Sequence, residues 1–247
     1  MDNIILTNLD NGVFTITLNR LDKKNALTSA MYLSLTEHFS YASESDDVRC
    51  LVIQGNENCF CAGNDLADFL NAKSDEELPA FQFIQRLASF DKPIIAAVAG
   101  AAVGIGTTLL LHSDIVVAAE NAKFALPFSK LGLCPEAASS YLLPQMVGHA
   151  KAFELLVLGD TFDAQQALSL NLINQITSSE ALLDTAQQYA TKIARLPSDA
   201  VMTSRALIKQ STQLAVSNAM AKEADEFGRL MQTKDCKSIL QQFLSKS

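Results

Sequence analysis

Basic charge is scarce in this chain. Against 27 Asp and Glu, its 247 residues carry 19 Lys and Arg, a formal net charge of -8 and a pI near 4.9. With no basic field it cannot hold a nucleic-acid backbone, and an anionic ligand would depend on local cations or backbone N–H groups. Gly (10) and Pro (6) are few, and 49% of residues are hydrophobic against 19% charged, which excludes disordered, collagen-like and low-complexity chains. Five cysteines are an odd number without framework spacing, Cys59 and Cys61 forming only C-x-C, so reduced thiols are expected. Long apolar runs are missing too. The strongest, Pro93 to Leu111, is broken by glycines and reads as a buried strand, turn and helix rather than a membrane span. Met1 to Gly12 contains no apolar h-region, and Ser245-Lys246-Ser247 differs from the peroxisomal Ser-Lys-Leu. With the thiols, these features point to the cytoplasm.

The length suits one domain with an appendage, or two small domains. Residues 4–9 and 13–18 alternate around Asp10-Asn11-Gly12, which predicts a hairpin. Thr28 or Ser29 can cap a helix to about Ser43, followed by a buried strand over 49–54. A helix over about 75–90 leads to a strand at 94–98, a glycine-punctuated turn, a helix over about 104–111 and a strand at 114–118. Strand, turn and helix repeating with short connections predict an α/β fold. Beyond Pro135 helices dominate, with a break at Leu196-Pro197-Ser198. We therefore divide the chain into a core over residues 1–195 and a C-terminal helical segment over 196–247.

Three segments could carry chemistry. Cys61-Ala62-Gly63-Asn64-Asp65-Leu66 comes after a strand and enters a helix, leaving backbone N–H groups able to hold an oxyanion; an ordinary turn with an Asn or Asp cap explains it equally well. Gly100 to Thr108 repeats that pattern, either as a second N–H donor turn or as a packing turn. It is not a dinucleotide fingerprint, because Leu109 stands three residues after Gly106, and no P-loop is present. In Leu133-Cys134-Pro135-Glu136, Pro135 suits a first helical turn, and Glu136 either complements the helix dipole there or is a partly buried acid with a raised pKa. The histidines His38, His112 and His149 have no metal-ligand spacing and no G-x-S-x-G is present, so neither a metal site nor a serine hydrolase is expected.

Together, Leu18-Asn19-Arg20-Leu21-Asp22-Lys23-Lys24-Asn25-Ala26-Leu27, Cys61 to Leu66, Gly100 to Gly106 and Pro127-Phe128-Ser129-Lys130-Leu131-Gly132 resemble the crotonase (enoyl-CoA hydratase/isomerase) superfamily across nearly the whole chain. The resemblance implies a spiral of repeated ββα units, a C-terminal helical trimerisation region, and acyl-CoA thioester substrates whose enolate is held by two backbone N–H groups. Carried onto these motifs, the donors are Asn64 and Ile105, with Gly104 beside the second. Hydratases of the family carry two glutamates where this chain has Thr108 and Phe128. The run from Pro127 to Glu136 is instead similar to peroxisomal-type Δ3,Δ2-enoyl-CoA isomerases, in which a glutamate at the place of Glu136 is the base. The resemblance further implies CoA contacts at Lys24, Ala26, Ala62, Gly63, Asn64, Asp65 and Leu66, and an acyl pocket near Phe69, Phe81 and Phe128. No cofactor beyond the CoA of the substrate is expected, no membrane partner, and a homotrimer or dimer of trimers. For its apolar face, Ala206, Leu207, Leu214, Ala219 and Phe227 are the residues available.

Overall fold

A computed structural model describes residues 4–70 and 78–245. Strands β1 (Ile5–Asp10) and β2 (Val13–Leu18) pair antiparallel with Asp10 opposite Val13. The two-residue loop between them has φ of 49° at Asn11 and 82° at Gly12, the left-handed pair that matches strand twist in a tight hairpin. Helix α1 (Ser29–Glu44) starts at Thr28, whose side chain accepts a hydrogen bond from the Met31 N–H.

From there the chain passes repeatedly between two sheets. Strand β3 (Cys50–Gln54) is succeeded by β4 (Cys59–Cys61), α2 (Leu66–Leu70) and α3 (Pro79–Ser89). Next come β5 (Ile94–Val98), β6 (Ala101–Val103) and α4 (Ile105–Thr108), then β7 (Ile115–Ala119) and β8 (Lys123–Ala125). The longer strands build a six-stranded sheet in the order β1-β2-β3-β5-β7, closed by β10 (Gln175–Thr177); the three-residue strands build a second, β4-β6-β8, closed by β9 (Phe162–Asp163). Each ββ pair thus gives one strand to each sheet before a helical segment carries the chain to the next pair, the crotonase spiral. The start of the 75–90 helix expected from the sequence, Asp75, lies outside the described residues. The helix expected over 104–111 is shorter: after Thr108 the chain tightens into a 3₁₀ turn over Leu109–His112.

Alternation on the inner strands separates two cores. Leu51 and Ile53 face the side covered by Met31, Leu35 and Phe39 of α1 and by Phe83 and Leu87 of α3. Cys50 and Val52 face the other side, against Leu182, Ala186 and Ala190 of α8 (Leu182–Ala194). Both faces are covered, which is why β3 and β5 read as continuous apolar runs.

Between β8 and α8 lie α5 (Ser139–Val147), α6 (His149–Phe153) and α7 (Ala164–Ser169); after Pro197 come α9 (Ser198–Gln210), α10 (Gln213–Met231) and α11 (Lys234–Leu244). These last helices are tied into the body of the protein. Phe227, Cys236 and Leu240 belong to the larger core. Buried Arg205 reaches Asp114 through Nε at 2.8 Å and donates from Nη1 to the Phe90 carbonyl at 2.6 Å. Phe227, at 1% exposure, is therefore unavailable to the intersubunit face expected of it, whereas Leu207, Ile208 and Leu214 are exposed at 64%, 77% and 75%.

Candidate active site

Parallel pairing of β4 with β6 sets their C-terminal ends side by side. Each strand then enters a turn built on glycine in a conformation that L residues avoid: Gly63 at φ 98°, and Gly104 at φ 54°, ψ -117°. A Cβ on Gly63 would stand 3.1 Å from the Val103 carbonyl oxygen, so the two turns touch. After each glycine comes an expected donor, Asn64 and Ile105. Ile105 opens α4 and has no acceptor one turn earlier, and among the described residues neither its N–H nor that of Asn64 donates to a backbone carbonyl. Successive units of the spiral thus present equivalent N–H groups at neighbouring positions.

The first motif is clamped onto the same turns. Ala62 N–H donates to the Lys24 carbonyl (3.0 Å), Leu27 N–H to that of Gly63 (2.8 Å), and Asp65 N–H to that of Leu27 (2.9 Å). This brings Lys24, Ala26, Ala62, Gly63, Asn64, Asp65 and Leu66 together in one strip, with Lys24 exposed. Asp65 is the cap of α2, its Oδ1 accepting from the N–H groups of Ala67 and Asp68, each at 3.1 Å. Burial opposes its charge, but the Arg20 guanidinium at 2.7 Å and those amides hold its carboxyl below the usual value.

Glu136 meets α4 at Thr108, three residues beyond Ile105, its Oε1 3.5 Å from the Thr108 hydroxyl. It is 2% exposed. It does not occupy the first turn of a helix as Pro135 suggested. Ala137 and Ala138 both adopt left-handed φ of 56°, and α5 starts only at Ser139. Burial first, and then the nearby Glu223 carboxylate, push the Glu136 carboxyl up to about 8, with the Thr108 hydroxyl opposing. The other hydratase position, Phe128, is a buried core side chain. A cavity of about 1170 Å³ opens beside Glu136 between α3 and α9–α10, and Phe81 lines it. Phe69 and Phe81 both meet Phe227 edge-on, at 5.7 and 5.6 Å between ring centroids.

A family model described as enoyl-CoA hydratase/isomerase matches residues 8–247. The chain belongs to that family. As an enoyl-CoA hydratase/isomerase family member it is 37% identical over 258 residues to the 1,2-epoxyphenylacetyl-CoA isomerase of Escherichia coli K12, covering 100% of this chain and 97% of that protein. It is 35% identical over 240 residues to the 2,3-dehydroadipyl-CoA hydratase of the same organism, covering 95% and 92%. The structure of Pseudomonas aeruginosa OdaA superposes with a TM-score of 0.94 at 39% identity, covering 98% of this chain and 99% of that one. Members of this family act on acyl-CoA thioesters, and no helix among the described residues is long and apolar enough to cross a membrane.

Four residues of this family member's site escape sequence reasoning. Asn25, fully buried, donates to the Phe60 carbonyl at 3.0 Å and accepts from Arg20 N–H at 2.8 Å, pinning the first motif to β4. Arg20 pairs with Asp65 across 45 residues. The Tyr32 hydroxyl donates to Asn64 Oδ1, and burial together with the Glu136 charge raises its pKa well above the ordinary value. Glu223 reaches the Glu136 turn from 83 to 85 residues away. Only Arg20 and Asn25, inside the quoted motif, carried any local signal.

Proposed function

We propose that this protein shifts the double bond of a 3-enoyl-CoA to give the 2-trans-enoyl-CoA, a step of fatty-acid oxidation. The observation that carries this reading is one buried carboxyl, Glu136, beside two adjacent N–H turns, with Thr108 and Phe128 where a hydratase would need its acids. As carboxylate, Glu136 takes a proton from C2 while the electron pair moves into the thioester carbonyl. The resulting dienolate oxygen accepts hydrogen bonds from Asn64 and Ile105. Glu136 then returns its proton at C4 as the carbonyl re-forms, leaving a double bond between C2 and C3. No atom is gained or lost, so a single acid–base group suffices and no cofactor is required. Lys24 and the strip from Ala62 to Leu66 hold the CoA, and Phe81, which lines the cavity, contacts the acyl chain, while Phe69 and Phe128 are core side chains outside the cavity's lining rather than walls of the acyl pocket.

Incubation with 3-enoyl-CoA and 2-enoyl-CoA in separate reactions, resolved by mass and retention time, tests this. The expected result is conversion of the 3-enoyl thioester at constant mass. Gain of one water from the 2-enoyl thioester would make the chain a hydratase, like the E. coli relative of that name, and binding without conversion would make it a silent acyl-CoA binder.

The same reading includes a cytoplasmic homotrimer or dimer of trimers. Leu207, Ile208 and Leu214 on α9 and α10 supply the exposed apolar surface. Light scattering at micromolar concentration is expected to return three or six chain masses; a monomer would reject the assembly. Leu214→Glu should then dissociate it, since a charge at a buried interface is costly.

A further inference from the structure

The Glu136 turn is built by a residue from the far end of the chain. Glu223 on α10 is 7% exposed, and its two carboxylate oxygens accept from the N–H groups of Ala138 (2.6 Å) and Ser140 (3.0 Å). Those are orphan donors at the start of α5, which has no cap of its own: Ala138 stands in the capping position with no side chain to serve it. Two consecutive left-handed alanines are unfavourable unless their surroundings enforce them. The enforcing contacts are visible. Glu223 holds the far side, His112 Nε2 meets the Ala137 carbonyl at 2.8 Å, and the Glu136 carbonyl accepts from the Ser139 hydroxyl at 2.6 Å.

We propose that Glu223 is a positioning residue for Glu136: it fixes the Ala137-Ala138 turn that aims the Glu136 carboxylate at the substrate, and its negative charge strengthens Glu136 as a base. The inference rests on Glu136 being the acid–base of the proposed reaction. Its electrostatic half comes from the groups around Glu136. Facing it are Thr108 from α4, Tyr32 from α1, Cys61 from β4, Cys134 from its own loop and Glu223 from α10. The thiols and the phenol are held neutral by burial, so Glu223 is the anion in this group. Burial raises both carboxyls, but Glu223 has two N–H donors on its charged form against one hydroxyl on Glu136, so Glu223 ionises first and the proton stays on Glu136.

The test is the pH profile of kcat/KM for Glu223→Gln. Gln keeps size, removes the charge and keeps one of the two acceptor oxygens, its NH2 replacing the other, so the plateau should fall modestly while the acid limb moves down by about one pH unit with KM within a few-fold of the wild type. Glu223→Ala, which loses both acceptors, should shift the limb likewise and lower kcat at the plateau further, by roughly tenfold or more relative to the wild type. A Glu223→Gln profile scaled down at every pH but not shifted would leave only a structural role and overturn the inference. Should Glu223→Gln fail to fold, carboxyl 13C NMR of labelled wild type and Glu136→Gln decides instead. Two buried titration steps are expected, and Glu136→Gln should abolish the higher; loss of the lower one overturns the assignment. If Glu136→Gln retains full activity, it is the proposed reaction that fails, whatever the Glu223 profile shows.

Discussion

Glu136→Gln is expected to cut kcat at least about 100-fold while acyl-CoA affinity changes no more than a few-fold, because Gln fills the same space beside Thr108 but cannot take a proton. In the wild type, kcat/KM should climb with pH along an acid limb centred near 8, the value to which burial and then Glu223 drive this carboxyl. The same substitution should make the protein more stable. A carboxyl with an ordinary value of 4.5 unfolded and about 8 folded holds its proton in the folded state across that interval. Its contribution is therefore favourable below the unfolded value and is lost as pH rises through the folded one. At pH 8 Glu136→Gln should exceed the wild type by on the order of a few kcal/mol, and near pH 4.5 the two should agree. Urea unfolding at both pH values checks the sign, and a wild type equally stable at the two, relative to the variant, would show that Glu136 ionises normally.

Ile105→Pro should cost about 3 kcal/mol of transition-state stabilisation, roughly 100-fold in kcat, by removing one of two donors to the dienolate oxygen. Position 105 is the first residue of α4, where a proline ring is compatible with the helix, so the variant removes the N–H without breaking α4, although it also gives up part of the buried Ile side chain. The control is Ile105→Val. Because the Ile105 side chain is completely buried, truncation to Ala would open a cavity worth about 2–5 kcal/mol, whereas Val loses one methylene for about 0.5–1.5. Ile105→Val with near wild-type kcat beside a disabled Ile105→Pro assigns the effect to the backbone. Equal losses in both would assign it to packing, and circular dichroism of the Pro variant separates either from unfolding.

How much of this was legible in the sequence depends on how local each signal is. The hairpin needs only alternation around Asn11-Gly12, and α1 needs only Thr28 and the apolar spacing after it, so both could be read directly. The two glycine turns after β4 and β6 were legible because Gly63 and Gly104 occupy backbone conformations that other residues resist. Strands of three residues leave no such mark. Cys59–Cys61, Ala101–Val103 and Lys123–Ala125 are too short to show a period, and with them the second sheet stayed hidden. Pro135 misplaced the start of α5 for a different reason: nothing in an Ala-Ala pair announces a left-handed turn that Glu223 and His112 impose from elsewhere in the chain. Phe227 misled similarly, since its helical spacing suits an intersubunit face as well as it suits the core between Phe69 and Phe81.

The lateness of those contributions has a bearing on how the protein is made. Chains emerge from the ribosome N-terminus first, and the N–H turns, the strip from Lys24 to Leu66 and Glu136 all appear well before α10 supplies Glu223 and Phe227. On the proposed reaction, a chain that stops before α10 would carry the N–H turns and Glu136 but lack both the Glu223 contacts that hold the Glu136 turn and the Phe227 side chain of the core. Premature stop codons between Glu136 and Glu223 should therefore yield inactive products rather than a gradient of activities.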